Sequence, residues 1–535
     1  MSQSTMTVDA ENVGDRLDPA GLAQQADADQ ISERQVIDRS CRGPVILFFV
    51  SATFWLIVGT ILALLASIKL HSPTFLAEFS WLTFGRVRPA HLNIVIFGWS
   101  AMVGLGTAVW LTCRLCRVPL RLPQMLVGAG VIWNAGVTAG LYGLLAGQSN
   151  SIEWIEFPPY ATFMLFCSFA IVSVWTLMTF SQRHEKHVYV SLWYIFGAMF
   201  WFPWVYGTVE LLMASPYAVQ GVAQESIHWW FGHNVLGVFF TPLGLAAIYY
   251  LLPKVVGRPI HSYYLSILGF WSLALFYNWA GAHHLVSGPV PAWLVTCSIV
   301  GSVMMFIPVI CTAINHHLTA YEHLNMLRTS PVLRFIVFGA MTYTFVSFQG
   351  SMMAVRVLNE PFHFTHHTIA HAHLGLYAFY TMVMFGAVYY ILPRLTGRAF
   401  ASARLMRTHF WCTALGALLM FVALTLGGIL QGFEWNQAGK PLTQMVHDHG
   451  YFSGLAAWFD TFKTKQDQPI NFVVVLRETI PYLWARSVSG FLLLAGHLAF
   501  AGLVFWNVLG HQIARLRPAS VSALSQTPAI QGAKL

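Results

Sequence analysis

The run Thr365-His366-His367-Thr368-Ile369-Ala370-His371-Ala372-His373-Leu374-Gly375-Leu376-Tyr377 opens an apolar stretch that continues to Leu392. A segment of that length and apolarity satisfies its backbone groups in lipid only as a helix. Helical residues two apart are separated by about 200°, so His371 and His373 point in nearly opposite directions. Ionisable side chains are costly inside a membrane and usually mark a pathway or a ligand site. A helix lying between two cofactors, with one imidazole serving each, needs this pattern. Two hydrogen-bonded histidines near a membrane interface share it, and the rest of the chain decides between the two.

Apolar residues make up 56% of the 535 and charged residues only 9%, with 20 Trp and 40 Phe. That is the composition of an all-α polytopic membrane protein embedded in a lipid bilayer. The net charge of +8 does not signal nucleic acid, because the Lys and Arg residues sit in the short segments between apolar runs. The seven cysteines lie mostly inside those runs, which argues against an extracellular disulfide framework. Cys113-Arg-Leu-Cys116 is followed by Arg117 where covalent haem attachment requires histidine. The pair reads as small packing residues at a helix end.

Residues 1–42 carry eight Asp and Glu against four Lys and Arg and lack the apolar core of a signal peptide, so they read as a polar cytoplasmic arm. Twelve spans are expected near 44–70, 91–113, 122–146, 157–180, 188–214, 227–252, 262–282, 291–314, 333–355, 366–392, 408–431 and 486–510, inside a unit covering 43–511. The loops after spans two, four, six, eight and ten hold thirteen Lys and Arg from Arg114 to Arg407, whereas the short loops opposite hold Lys69, Arg86, Arg88 and Arg356. The positive-inside rule places the basic loops, and both termini, in the cytoplasm. Residues 432–485 form a long outer loop without usable periodicity, and 512–535 a short cytoplasmic tail with no electron-transfer domain appended.

In this orientation span two starts outside with His91, span six with His233, and span ten with His371 and His373, while span seven ends outside with His283 and His284. Six histidines on four helices therefore share one depth, although the charge argument made no use of them. Neutral imidazole ligates haem iron and copper. Two imidazoles make a six-coordinate electron carrier, one leaves an open position on haem iron, and three hold a copper. Six histidines divide naturally in that way.

The segments Arg86-Val-Arg-Pro-Ala-His91-Leu-Asn93, Trp229-Trp-Phe-Gly-His233-Asn-Val-Leu-Gly237, Tyr277-Asn-Trp-Ala-Gly-Ala-His283-His284 and His371-Ala-His373-Leu-Gly375 together resemble the catalytic subunit I of the haem–copper oxygen reductases, specifically the C family of cbb-type cytochrome c oxidases. The resemblance runs over roughly residues 44–430 and implies the twelve-helix subunit I arrangement in a bacterial inner membrane. It implies two b-type haems and one copper ion. His91 and His373 would ligate the low-spin haem, His371 the high-spin haem, and His233, His283 and His284 the copper. Tyr277 matches a tyrosine cross-linked to the span-six ligand, here His233. Arg86 and Arg88 fall where haem propionates are neutralised, and His363 matches a histidine near the haem edge. Membrane-anchored c-type cytochrome subunits would deliver electrons for the reduction of O2 to water.

Four protons per O2 must reach such a site. Tyr277 lies six residues before His283, about 9 Å deeper on a continuous helix, and Ser266 lies eleven residues further on nearly the same face. Tyr343 offers a hydroxyl at intermediate depth on span nine. The resemblance places the single proton path on Ser266, Tyr343 and Tyr277; each hydroxyl otherwise back-bonds to its own helix. One residue departs: the family has glutamate where this chain has Gln349, and an amide carries neither charge nor proton. His366, His367, His447 and His449 have no assigned role and read as interfacial or solvated.

Nitric oxide reductases share the six histidines, but carry glutamate one turn beyond the span-six ligand and lack the span-seven tyrosine. Here Gly237 and Tyr277 occupy those places. A non-redox transporter would show repeats and a midplane site. A bis-histidine cytochrome would leave His233, His283, His284 and Tyr277 idle.

Overall fold

The computed structural model describes residues 19–150, 152–214, 219–436, 442–461 and 472–516. Among these are twelve helices long and apolar enough to cross a membrane: Ile31–His71, Phe84–Cys116, Pro123–Ala146, Pro159–Ser181, Val190–Met213, Gly221–Val256, Tyr263–Leu285, Ala292–Tyr321, Pro331–Met353, His366–Thr396, Ala403–Trp435 and Phe472–Ile513. They are spans one to twelve below, and each expected span falls on one of them. The protein is a multi-pass membrane protein.

Spans two, six and ten form the centre. Their most apolar windows are 94%, 89% and 83% buried, against 39% in spans three, four and five. That contrast explains the sequence patterns. The outer ring meets lipid and carries large exposed groups such as Phe163, Phe200 and Trp411. The central helices are apolar on every side and still carry the histidines, as buried helices must. Each changes to wider π-helical hydrogen bonding within three residues of a histidine: Ile94–Ala101 after His91, Val235–Phe240 after His233, and Leu374–Thr381 after His373. Such bulges leave backbone groups mismatched and collect at functional sites.

Three details differ from the expected organisation. First, the polar arm is helical from Pro19 and runs unbroken into span one. Ile37 and Cys41 are buried, and Asp38 accepts a hydrogen bond from the Trp110 indole at 2.9 Å and pairs with Arg114 at 3.4 Å. The charges of this stretch thus dock it on span two. Second, the connection over 432–485 contains more helix than its patterning suggests: span eleven runs on to Asn436, short helices cover Leu442–His449 and Tyr451–Thr461, and the last helix begins at Phe472. Third, span seven stops being α-helical at Phe276 and continues as tighter 3-10 turns over Tyr277–Trp279 and Gly281–Leu285. The rise there is about 2 Å per residue, so the helical spacing of Tyr277 from His283 does not apply.

Candidate metal and cofactor site

His233, His283 and His284 converge, with one ligand nitrogen from each lying within 4.8 Å of the others. Their rings stand 4.8 Å (His233 to His283) and 4.4 Å (His283 to His284) apart. Nitrogens about 2 Å from one ion would be roughly 3–4 Å apart, so the trio needs to close by about an ångström. Local structure orients each ring. The 3-10 turn sets His283 and His284 side by side. His283 Nδ1–H donates to Ser302 Oγ at 2.8 Å, and that hydroxyl donates onward to the Ser298 carbonyl at 2.9 Å. The backbone N–H of His283 donates to Ser298 Oγ at 2.7 Å. These bonds leave Nε2 of His283 as the free ligand atom. His284 stacks on Trp229, and the buried Nδ1 of His233 has no protein partner.

The Tyr277 ring stacks on His233 at 4.5 Å. It occupies space that Gly237 leaves open: a Cβ at 237 would lie 1.7 Å from Tyr277 Cε1.

His91 and His373 line one apolar cavity between spans one, two, ten, eleven and twelve. Both rings are turned by backbone bonds, His91 Nδ1–H to the Gly59 carbonyl at 3.0 Å and His373 Nδ1–H to the Ile369 carbonyl at 2.8 Å. Each therefore presents Nε2 to the cavity, the arrangement of a ligand imidazole. His371 points elsewhere. Its Nδ1–H donates to Gln349 Oε1 at 3.1 Å, and its ring lies so close to Gly350 that a Cβ there would stand 2.9 Å from His371 Cε1. It is also near enough to His233, His283 and His284 to interact electrostatically with all three.

The two expected propionate residues have protein partners. Arg86 donates to the Leu145 carbonyl at 3.0 Å, and Arg88 pairs with Glu153 at 3.1 Å. The cationic group that lines the cavity is Arg486; the indole of Trp154, whose buried N–H is unpartnered, lines it too. Trp154 also holds a left-handed backbone conformation at φ 70°, a strain found at functional positions. Sequence reading passed over Arg486 because it stands at the edge of the last span; an arginine within a membrane helix is itself a signal.

Glu156, in the same loop as Trp154, accepts hydrogen bonds from the Asn93 side chain and the Trp154 N–H, both at 2.6 Å, and so ties the loop to the turn after His91. Burial pushes its pKa from 4.5 up to about 7. A carboxyl whose folded pKa is raised contributes stability in full below its unfolded value and loses it as pH climbs through the folded value. Thermal stability of the purified protein is therefore expected to fall by on the order of 3 kcal/mol between pH 5 and 8, and Glu156→Gln to flatten that fall in a pH series of melting curves.

Of the expected proton-path residues, Ser266 Oγ donates to the Ser262 carbonyl at 3.1 Å and accepts from Asn315 Nδ2 at 3.0 Å. Asn315 also reaches Tyr249 Oη at 3.4 Å. The hydroxyl groups of Tyr343 and Thr312 are buried without a direct partner, the condition ordered water relieves. The sequence reading assigned no proton-path residue to span eight; its Thr312 and Asn315 show no pattern until it packs on span seven. His363 is half-buried with an unpartnered Nε2, and burial lowers its pKa. Of the pair expected to be interfacial or solvated, His366 is partly exposed and donates its backbone N–H to Gln431 Oε1, whereas the His367 ring is buried against Phe362 at 4.4 Å and Gln349 at 3.2 Å. His447 is exposed beside Asp448.

Comparison with known proteins agrees with this geometry. Residues 43–492 match the family of cytochrome c and quinol oxidase polypeptide I. The bacteroid cytochrome c oxidase subunit 1 homolog of Bradyrhizobium diazoefficiens is 34% identical over 74% of this chain and 73% of that protein. The cbb3-type cytochrome c oxidase subunit CcoN1 of Stutzerimonas stutzeri is 30% identical over 85% of this chain and 92% of that protein. A solved haem–copper terminal oxidase dimer has the same fold, with a TM-score of 0.63 at 16% identity, covering 86% of this chain and 84% of that one. With its histidines, its twelve spans and these relatives in agreement, the chain belongs to the cytochrome c and quinol oxidase polypeptide I family, the subunit I family of the haem–copper oxidases.

Proposed function

We propose that this chain is the catalytic subunit of a cbb-type terminal oxidase, reducing O2 to water with electrons from membrane-anchored c-type cytochromes and protons from the cytoplasm. The observation that carries the reading is the meeting of His233, His283, His284 and Tyr277 at one point, with His371 beside them and His91 and His373 facing a separate cavity. Two b-type haems and one copper, when bound, would supply the electron transfer and the metal pair at which O2 is reduced. His91 and His373 would hold the low-spin haem, and Arg486 and the Trp154 indole would meet its anionic groups. His371, turned the other way on span ten, would hold the high-spin haem.

Each O2 takes four electrons and four protons to give two water molecules. The Tyr277 hydroxyl is the protein group placed to hold a proton beside the copper ligands. Ser266, Asn315, Tyr249 and Tyr343 are the groups by which the cytoplasmic side would reach it. Uptake of protons from one side and electrons from the other conserves energy, and the complex is expected to translocate protons.

Nitric oxide reduction is the competing chemistry. Gly237 weighs against it, since a glutamate there would occupy the volume filled by Tyr277. The deciding experiment is turnover of the purified complex with O2 and, separately, with nitric oxide, together with metal analysis. Fast O2 consumption with one copper per chain and two irons beyond those of the c-type haems supports the oxidase. Nitric oxide turnover with no copper and a third iron beyond those of the c-type haems makes it a reductase.

Ser302 gives a finer test of the copper ligands. Removing a group that orients a ligand imidazole typically costs 10- to 100-fold in metal affinity. Ser302→Ala should therefore lose copper to a competing chelator about 10- to 100-fold more readily, with the low-spin haem absorption unchanged.

A further inference from the structure

Gln349 makes two contacts. Its Oε1 lies 3.1 Å from His371 Nδ1, and its Nε2 lies 3.2 Å from His367 Nε2. An amide has an acceptor on one side and a donor on the other, whereas a carboxylate presents equivalent acceptors. Orientation is therefore a question for glutamine alone. With its NH2 toward His371, the amide would need an unprotonated Nδ1. The ring proton would then sit on Nε2 and block the ligand nitrogen.

His367 completes the pairing. With Oε1 accepting from His371 Nδ1–H, the Gln349 NH2 faces His367 Nε2, which then accepts and carries its own proton on Nδ1, a buried atom with no direct protein partner. The ring is held by Phe362 at 4.4 Å, and the helix around it by span eleven, where a Cβ on Gly428 would meet the His367 backbone N at 2.2 Å and its Cβ at 2.8 Å. The backbone N–H of His367 donates to Thr365 Oγ1, which caps the helix. His367 is thus held in place opposite the amide.

We propose that His367 is a positioning residue that orients the Gln349 amide, and through it fixes His371 in the tautomer that offers Nε2 to the high-spin haem iron. The inference rests on the reading above that His371 is the iron ligand. It makes residues 349 and 367 interdependent, since an amide at 349 needs an acceptor at 367 and a carboxylate does not.

The test is the iron–histidine stretching band of the reduced purified complex by resonance Raman, together with the midpoint potential of the high-spin haem. Weaker hydrogen bonding at Nδ1 makes the imidazole a poorer donor to iron. His367→Phe should therefore lower or split the band and raise the potential. His367→Gln, which keeps an acceptor oxygen, should move both less. Adding Gln349→Glu to His367→Phe should restore a single higher-frequency band, a rescue that a packing role for His367 would not produce. If His367→Phe does not assemble, His367→Leu removes the same acceptor. An unchanged band and potential on loss of the acceptor, or an equal change with Gln or Glu at 349, overturns the inference. A band that survives His371→Ala instead overturns the ligand assignment, and the inference with it.

Discussion

Gly237→Ala is expected to reduce O2 consumption by about 10²-fold or more while leaving the low-spin haem spectrum in place. The added methyl would stand 1.7 Å from Tyr277 Cε1 and 1.8 Å from Cζ, far inside van der Waals contact, so the ring has to move. Overpacking of this kind costs about 1–3 kcal/mol, which a twelve-helix protein survives. The ring cannot retreat without leaving the face of His233, on which it stacks at 4.5 Å. A displacement of about 1 Å at reacting groups costs on the order of 10² in rate, and here the displaced group adjoins the proposed copper ligand His233. Cyanide or carbon monoxide binding, measured beside turnover, separates this outcome from misfolding: ligand binding at the high-spin haem should persist. Normal turnover would mean that the Tyr277 ring does not occupy this position during catalysis.

Gly237 also shows what could be read without coordinates. Its identity was legible, and so was its meaning as the absence of a glutamate. Its role as the space for a tyrosine from another helix was not, because sequence carries no distance between spans six and seven. The twelve spans were legible because lipid imposes a length and an apolarity on each, and all twelve stand in the structure. The six histidines were legible because two periodicities, helical turn and alternating direction through the membrane, place them at one depth. Side-chain partners were much less so. Arg86 and Arg88 carry the right charge at the right depth, yet they bind Leu145 and Glu153, and Arg486 faces the cavity instead. His367 read as interfacial or solvated since it stands at a helix start beside another histidine, and the approach of span eleven buries it. The tight turns after Phe276 had no marker, for the residues that form them are also the ones needed for ligation.

His371→Ala and His373→Ala should both abolish turnover, each through a different loss. The substitutions lie two residues apart on one helix and remove the same side chain. A structural role would make them behave alike. The structure separates them: His373 faces the cavity together with His91, whereas His371 faces Gln349 and Gly350 of span nine. His373→Ala should remove the six-coordinate haem absorption, since one imidazole remains where the iron needs two. Carbon monoxide should still bind the high-spin haem of that variant. His371→Ala should show the reverse, with the six-coordinate spectrum retained and the carbon monoxide difference spectrum lost or shifted. His91→Ala, on a different helix, should reproduce His373→Ala and not its nearer neighbour in sequence. Identical spectra for the two span-ten variants would mean that His371 and His373 do not serve separate haems, and the functional assignment of span ten would fall.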